Sequence, residues 1–425
     1  MKCINFCLLT LQLSCFFAIH SLSAQDTNVP SPIFGQLKER LIRAETERVA
    51  IIGIGDSNQR FGGQGYSFHM EKALAKRLGC YAASLVYYKH YQERDAPAAP
   101  SAPEALAKLA FSYWYIPGGS SASVSWKNGL LIVRQDHPLG IQGNLRFHLT
   151  YGIPENGAGI FTPMVRRDEA PWTILAREKP AVQTGPAVPG LVHYTLDLRA
   201  DSTRNYPLQF SPTSLTEAIP GEFFATAAAC ENMDKQSGIA YHTLYAAGGQ
   251  SLFDMLTQFK AKGPVRLAEY FSRVRELLNG KKTCVIMITS GLNDRNEKEL
   301  SIGPKAGLAS STPEGFADNL HGIVTTLQEA WVLAGGTEDT LHFAFMPSHV
   351  LASPDDVKLV GYRQAARRLA GQLPNASMIN LEELVPYEEM LRNKYYDNNA
   401  STSPHLDNKG YEAIADALIK YISAR

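Results

Sequence analysis

Cysteine is scarce in this chain, and neither sign of charge is in excess. Of the six cysteines, only Cys80, Cys230 and Cys284 lie beyond the N-terminal leader predicted below. Three cysteines form at most one disulfide, which excludes a disulfide scaffold, and no cysteine or histidine pair has the spacing of zinc ligands. Lysine plus arginine equals aspartate plus glutamate at 41 each, so no basic field points to nucleic acid or to an anionic membrane. We therefore expect no metal, no cofactor and no nucleic-acid partner.

Long apolar runs are also lacking, except at the N-terminus, so we expect no integral membrane segment in the mature chain. The exception is an apolar run from Ile4 to Ala18 that is followed by small residues. This pattern predicts a signal peptide over residues 1–24 and a secreted or periplasmic protein. The alternative is a lipoprotein anchor at Cys15, for which Leu13 stands one place too close to the cysteine.

An unbroken apolar strand, Val49–Gly55, ends in the small turn-forming residues Asp56, Ser57 and Asn58. Strands buried on both faces have such continuous Val/Ile runs, and open α/β sheets bind ligands beyond the carboxyl ends of these strands. The stretch His69–Leu78 has the apolar spacing of a helix packed on a sheet. Ser57 is therefore a candidate nucleophile, held where free backbone N–H groups can face a developing oxyanion. The alternative is that the polar residues only form a turn or a helix cap.

Three further places carry residues suited to the same chemistry. Gly249 and Asn293 each follow a predicted strand, and His405 precedes the predicted C-terminal helix. The imidazole of His405 suits a base that takes the proton of Ser57, because its ordinary pKa lies near 6.5. The backbone N–H groups of Ser57 and Gly249 and the side-chain amide of Asn293 are candidate oxyanion donors. Each residue could instead belong to an ordinary turn or loop, and we expect Asp294 to be structural.

Taken in this order, the residues resemble the four sequence blocks of the SGNH (GDSL-type) hydrolase superfamily of esterases and lipases. The matching residues are Gly55-Asp56-Ser57 for the first block, Gly249 for the second, Gly291-Leu292-Asn293-Asp294 for the third and His405 for the fourth. The resemblance covers roughly the first quarter of the mature chain and its last 190 residues or so, but not the middle. It implies an α/β hydrolase with Ser57 as nucleophile, His405 as base and an oxyanion hole that includes Gly249 and Asn293.

The acid of the fourth block is missing, because the position three residues before the histidine is Thr402. An acid normally orients the histidine and stabilises its charged form. One possibility is a Ser-His dyad with His405 bonded to a backbone carbonyl. Another is an acid from elsewhere, with Asp397 the nearest candidate and Asp355 or Asp356 next. The third possibility is a homologue without activity.

The spacing of elements predicts a three-layer α/β domain with a parallel sheet, interrupted by an inserted domain. About 170 residues separate Leu78 from Gly249, far more than a βα connection needs, and we recognise no strand of the parallel sheet until shortly before Gly249. We therefore place the hydrolase domain at residues 45–110 and 236–425 and the insertion at 111–235.

The insertion has the pattern of a β-sandwich or jelly roll, because short strands alternate with polar turns. The triplet Lys127-Asn128-Gly129 predicts a hairpin between the first two of these strands. The predicted strands are 122–126, 130–135, 144–151, 172–177, 191–199 and 222–230. Carbohydrate-binding modules occur in this way in some polysaccharide deacetylases that this chain resembles.

The sequence thus predicts a secreted serine esterase that removes O-acetyl or similar short acyl groups from a carbohydrate. The expected partner is an acylated carbohydrate or another small ester. In such an esterase the acyl group is first transferred to Ser57, which forms an acyl-enzyme. If a sugar hydroxyl instead of water attacked this acyl-enzyme, the protein would be an O-acyltransferase. A non-catalytic carbohydrate-binding homologue is the alternative from a different class.

Overall fold

Continuous strands and helices run through the parts of the chain that the computed structural model describes. These parts are residues 33–59, 65–86, 114–116, 131–133, 139, 143–152, 164–167, 173–174, 191–200, 208–211, 223–246, 248–295, 311–349, 356–397 and 405–424. The predicted signal peptide, the alternative anchor at Cys15 and the predicted hairpin at 127–129 lie outside them.

The described strands and helices, in chain order, are as follows. The strands are β1 (Ile33–Phe34), β2 (Arg48–Gly55), β3 (Cys80–Val86), β4 (Trp114–Ile116), β5 (Leu131–Val133), β6 (Gly143–Gly152), β7 (Met164–Arg167), β8 (Thr173–Ile174), β9 (Leu191–Ala200), β10 (Leu208–Ser211), β11 (Phe223–Asn232), β12 (Gly238–Ala246), β13 (Cys284–Ser290), β14 (Leu341–Pro347) and β15 (Ala376–Ile379). The helices are α1 (Leu37–Ile42), α2 (Tyr66–Leu78), α3 (Leu252–Leu278), α4 (Pro313–Leu333), α5 (Val357–Gln372), α6 (Leu381–Leu384), α7 (Tyr387–Arg392) and α8 (Asn408–Ser423).

One large mixed sheet organises the described residues. Its strand order is β1-β15-β14-β13-β2-β12-β3-β11-β6-β9, with β4 paired to β11 beside this path. The strands from β15 to β3 in this order are parallel to one another. The first strand, β1, and the group β11, β6 and β9 extend the sheet with antiparallel pairs. The predicted α/β fold with a largely parallel sheet is confirmed in this central part.

Helices cover both faces of the parallel strands, which explains why these strands are apolar throughout. Every residue of β2 is buried. Val49 and Ile51 pack with α1, α2 and α8 on one face, while Ile52 and Ile54 pack with α3, α4 and α5 on the other. Because successive side chains of a strand point to opposite faces, a continuous run of Val and Ile supplies both contacts. The three predicted layers are therefore present.

Helix α3 begins and bends at positions that its sequence dictates. Ser251 accepts a hydrogen bond from the Asp254 N–H, and the Asp254 side chain accepts one from the Ser251 N–H, which forms a capping box. Gly263 leaves helical geometry with φ 73° directly before Pro264, so the helix kinks there. The sequence predicts two helices, 252–260 and 265–278, and the kink divides α3 at that boundary.

The prediction that no sheet strand follows the first helix is wrong. β3 begins two residues after α2, across Gly79 at φ 83°, and lies parallel to β12. Its sequence, Cys-Tyr-Ala-Ala-Ser-Leu-Val, is rich in small residues and lacks the Val/Ile run that marks β2. The parallel part of the sheet is thus continuous up to β3 before the region of the predicted insertion begins.

The strands between residues 111 and 235 form two groups. Strands β5, β10, β7 and β8 make a four-stranded antiparallel sheet. Strands β4, β6, β9 and β11 instead continue the main sheet, because β11 pairs with β3. The predicted strands near 130–135, 144–151, 172–177, 191–199 and 222–230 are found, and the one at 122–126 lies outside the described residues. The strands β4, β7 and β10 are additional. A separate inserted sandwich, with its boundaries, stays a prediction.

A buried ion pair fixes the junction between the parallel and the antiparallel strands. The Arg48 guanidinium at the start of β2 lies 2.5 Å from Glu231 of β11, and both residues are buried. The same guanidinium lies over the Tyr81 ring of β3, 4.8 Å from its centroid. His148 of β6 contacts the other oxygen of Glu231 at 2.9 Å. Because a buried charge needs a partner, these contacts hold the two parts of the sheet in register.

Candidate active site

The predicted site residues lie beyond the carboxyl ends of the parallel strands. Ser57 follows β2, Gly249 follows β12 and Asn293 follows β13, and these three strands are neighbours in the sheet. His405 comes from the segment before α8. Parallel strands end at the same edge of a sheet, so residues far apart in the sequence meet there.

Ser57 and His405 are in direct contact. The distance between Ser57 Oγ and His405 Nε2 is 2.7 Å, a hydrogen bond across 348 positions of the chain. Ser57 is 7% exposed, so its hydroxyl is shielded but reachable. Tyr396 and Leu406 form an isolated antiparallel bridge beside the histidine, and Asp407 caps α8 two residues after it. These contacts hold the segment around His405 in place beside the turn that carries Ser57.

The candidate acids differ in how they approach the histidine. The Asp397 N–H donates to the carbonyl oxygen of His405 at 3.0 Å, so the two residues are adjacent through their backbones. The Asp356 carboxylate caps α5 and forms an ion pair with Arg295 at 2.6 Å, so it is already engaged in other contacts. Asp355 and Thr402 lie outside the described residues. Which group orients His405 stays a prediction, with Asp397 nearest.

The turn that carries Ser57 is braced by its two neighbours. Asp56 Oδ1 accepts hydrogen bonds from the Asn58 backbone N–H at 2.8 Å and from Asn58 Nδ2 at 3.2 Å. The Tyr411 hydroxyl on α8 donates to Asn58 Oδ1 at 2.6 Å. Asp56 and Asn58 therefore form a turn, as one alternative predicts, but they do not cap the following helix, whose N-cap is Gly65. The structure thus contains both the turn and the hydrogen bond between Ser57 and His405.

The proposed oxyanion donors are linked to this turn. Asn293 Nδ2 donates to the Gln250 carbonyl oxygen at 3.0 Å and lies 3.4 Å from Asp56 Oδ2. Gly249, directly before Gln250, has φ 75°, a conformation that a residue with a Cβ rarely adopts. Asn293 thus connects the turn after β12 to the turn after β2.

Asp294 is structural, as expected. Its two carboxylate oxygens accept hydrogen bonds from the Leu252 N–H at 2.9 Å and the Gly291 N–H at 3.0 Å. These contacts fasten the loop after β13 to the start of α3. The carboxylate is buried, with Asp294 only 1% exposed.

A second histidine lies beneath the site, and none of the sequence motifs marks it. His349 follows β14, is fully buried, and its Nδ1 lies 3.2 Å from the Tyr66 hydroxyl. Burial, and secondarily the charge of His405, lower the pKa of His349 to about 3, so its ring is neutral at pH 7. Burial also raises the pKa of Tyr66, together with the negative charge of Asp56. The rule that ligands bind beyond the carboxyl ends of parallel strands could have found His349, since the apolar run Leu341–Met346 predicts the strand β14.

Among the described residues, no three His, Cys, Asp or Glu side chains are grouped so that they could hold a metal ion. In the same part of the chain, no helix is long and apolar enough to cross a membrane.

No family model and no curated protein matches the chain. Carbohydrate esterases are among the solved structures to which it is similar. One is a family 2 carbohydrate esterase with a carbohydrate-binding domain from Corynascus thermopiles (Myceliophthora fergusii), at 10% identity and TM-score 0.27 over 73% of this chain and 98% of that one. Another is the acetyl xylan esterase Est2A from Butyrivibrio proteoclasticus, at 11% identity and TM-score 0.30 over 73% and 98%.

A third similar structure is a family two carbohydrate esterase from Clostridium thermocellum in complex with cellohexaose. It has 12% identity and a TM-score of 0.25 over 72% of this chain and 97% of that one. Similarity at these TM-scores carries no argument about fold or activity.

Proposed function

We propose that the protein is a serine esterase that removes O-acetyl or other short acyl groups from a carbohydrate. The observation that carries the proposal is the 2.7 Å contact between Ser57 Oγ and His405 Nε2 at the carboxyl edge of the sheet. A serine hydroxyl becomes a strong nucleophile when an adjacent imidazole takes its proton, and this distance suits that transfer. The contact favours catalysis over the non-catalytic alternative.

In the proposed reaction, Ser57 Oγ attacks the carbonyl carbon of the ester as its proton passes to His405 Nε2. The tetrahedral intermediate places negative charge on the former carbonyl oxygen. The N–H groups of Ser57 and Gly249 and the Nδ2 of Asn293 donate to that oxygen, and donors of this kind are each worth roughly 3–4 kcal/mol. His405 then gives the proton to the leaving sugar oxygen, and an acyl group remains on Ser57.

The second half of the reaction reverses these roles. His405 takes a proton from water, the resulting hydroxide attacks the acyl carbon, and Ser57 leaves with the proton that His405 returns. Asp397 is the nearest candidate to support the charged form of His405. The Gln250 carbonyl oxygen accepts one N–H of the Asn293 amide at 3.0 Å and holds its orientation before substrate arrives. The other N–H, whose contact with Asp56 Oδ2 is longer at 3.4 Å, exchanges that contact for the oxyanion.

The carbohydrate part of the proposal rests on the predicted inserted β-domain, which resembles the carbohydrate-binding modules of some polysaccharide deacetylases, and secretion rests on the predicted signal peptide. An acyl-release screen tests the substrate class directly: purified protein is incubated with acetylated polysaccharides, and free acetate is measured. We expect acetate release by the wild type and none by Ser57→Ala. If simple aryl acetates are hydrolysed but none of the polysaccharides is, the substrate class is wrong although the esterase assignment stands.

A further inference from the structure

Two glycines of β2 leave a space beneath the nucleophile turn, and the side chain of Gln59 fills it. A Cβ on Gly53 would lie 2.1 Å from Gln59 Nε2, and a Cβ on Gly55 would lie 2.9 Å from Gln59 Cβ. Both distances are too short for real side chains. Because alternate residues of a strand face the same side, the two glycines leave one continuous strip of that face of β2 without side chains. Gln59 therefore lies folded back along the strand that carries its own turn.

The amide of Gln59 makes hydrogen bonds to three different elements. Its Nε2 donates to the Tyr241 hydroxyl on β12 at 2.9 Å and to Ser67 Oγ on α2 at 2.8 Å. Its Oε1 accepts from Thr289 Oγ1 on β13 at 2.8 Å. The strands β12 and β13 flank β2 in the sheet, so one side chain ties the turn to both neighbours and to the following helix.

The backbone of Gln59 is fixed at the same point. Gln59 is the last residue of the 3-10 turn Ser57–Gln59, and its N–H donates to the Asp56 carbonyl oxygen at 3.1 Å. The Ser67 hydroxyl contacts the Gln59 carbonyl oxygen. Gln59 is 0% exposed, so breaking its hydrogen bonds would leave polar groups without water to replace them. The turn therefore has little freedom two residues away from Ser57.

We propose that Gln59 is a positioning residue that holds Ser57 Oγ at hydrogen-bonding distance from His405 Nε2. This inference rests on the proposed esterase function. Gln59 does not touch the reacting atoms, and it acts through the turn. A displacement of a nucleophile by about 1 Å can slow a reaction by about 10²-fold, so a side chain that fixes the turn contributes to rate without contacting substrate.

The first test replaces Gln59 with methionine, which has a similar length and cannot make the amide hydrogen bonds. We expect kcat with p-nitrophenyl acetate to fall about tenfold or more, with KM changed less than about twofold, because the loss concerns nucleophile position rather than substrate binding. The rate at which a serine-directed fluorophosphonate labels Ser57 should fall in parallel. This second readout needs no sugar substrate.

The matched control is Ser377→Ala. It removes the hydrogen bond between Ser377 Oγ and His342 Nε2, which is 2.7 Å long and also buried in the main sheet, but at β14 and β15. We expect the control to lower Tm while leaving both the labelling rate and kcat unchanged. Equal losses of rate in the control and in Gln59→Met would show a general effect of destabilisation and overturn the proposal.

Two variants of the partners of Gln59 cover the case in which Gln59→Met does not fold. Thr289→Val and Tyr241→Phe each remove one hydrogen bond to Gln59 and keep the side-chain shape. Each should slow labelling and turnover on its own. Where Gln59→Met folds, Thr289→Val should add little in that background, because the shared bond is already lost. Wild-type rates in Gln59→Met, or in both single-partner variants, would overturn the positioning role.

These outcomes separate the two proposals. A wild type that labels at Ser57 but hydrolyses no sugar ester contradicts the substrate class and leaves the role of Gln59 to be judged by labelling rates. A wild type that neither labels nor hydrolyses any ester contradicts both proposals.

Discussion

Three buried histidines should make the stability of this protein strongly dependent on pH. Burial lowers the pKa of His242 and of His342 to about 4 and, with the charge of His405, that of His349 to about 3. In the unfolded chain each imidazole binds a proton near pH 6.5. The folded state therefore binds fewer protons than the unfolded state between about pH 6.5 and 4, and stability falls as the pH is lowered through that range.

The size of the effect follows from these pKa values. Each pH unit below 6.5 favours the unfolded state by about 1.4 kcal/mol for each histidine, which gives about 2 kcal/mol each at pH 5 and about 6 kcal/mol for the three. Domains are typically stable by about 5–15 kcal/mol, so this loss is a large share of the total. We expect the free energy of unfolding, measured by urea titration, to be several kcal/mol lower at pH 5 than at pH 8.

Two variants test whether the buried histidines cause this pH dependence of the unfolding free energy. His242→Leu removes a buried imidazole whose Nε2 has no hydrogen-bond partner among the described residues, and it should reduce the difference between pH 8 and pH 5 by about 2 kcal/mol. His321→Gln, on the exposed face of α4, should leave the difference at its wild-type value. Equal unfolding free energies at the two pH values, or a His242→Leu variant that keeps the full wild-type difference, would refute this explanation.

Two further predictions concern catalysis. Asn293→Ala should lower kcat by about 10²-fold or more with little change in KM, because a donor aimed at the oxyanion acts mainly in the transition state. Steady-state kinetics with p-nitrophenyl acetate measure both constants. An effect confined to KM would make Asn293 a substrate-binding residue instead. His405→Ala should be nearly inactive. If the Asp397 carboxylate stabilises the charged form of His405, Asp397→Asn should have a much lower kcat than the wild type. A wild-type kcat in Asp397→Asn would indicate that a backbone carbonyl orients His405 instead.

The sequence predicts the central sheet and its helices well, because those elements have strong local signals. β2 and β13 are continuous apolar runs, and Ser251 and Gly263 mark the start and the break of α3. The order of Ser57, Gly249, Asn293 and His405 also follows from motifs that are local in the chain. Parallel strand direction accounts for the meeting of Ser57, Gly249 and Asn293 at one edge. His405 instead comes from the segment before α8, so its contact with Ser57 is predicted by the family resemblance and not by strand direction.

Features that depend on distant partners could not be predicted in this way. β3 has the small residues of a weak strand, and it is held by pairing with β12 on one side and β11 on the other. The side chain of Gln59 looks like an ordinary polar turn residue until the strip left by Gly53 and Gly55 is seen in three dimensions. His349 is one of eleven histidines, and although its position after β14 is a local signal, its burial beneath the site depends on the fold.

Activation of the Ser57 nucleophile by His405 is the central claim, and covalent labelling tests it most directly. The wild type, Ser57→Ala and His405→Ala are treated with a serine-directed fluorophosphonate, and the modified residue is located by peptide mass spectrometry. We expect a label on Ser57 in the wild type, none in Ser57→Ala and a labelling rate lower by orders of magnitude in His405→Ala. A label on another residue, or a Ser57→Ala variant that still hydrolyses p-nitrophenyl acetate at the wild-type rate, would contradict the claim.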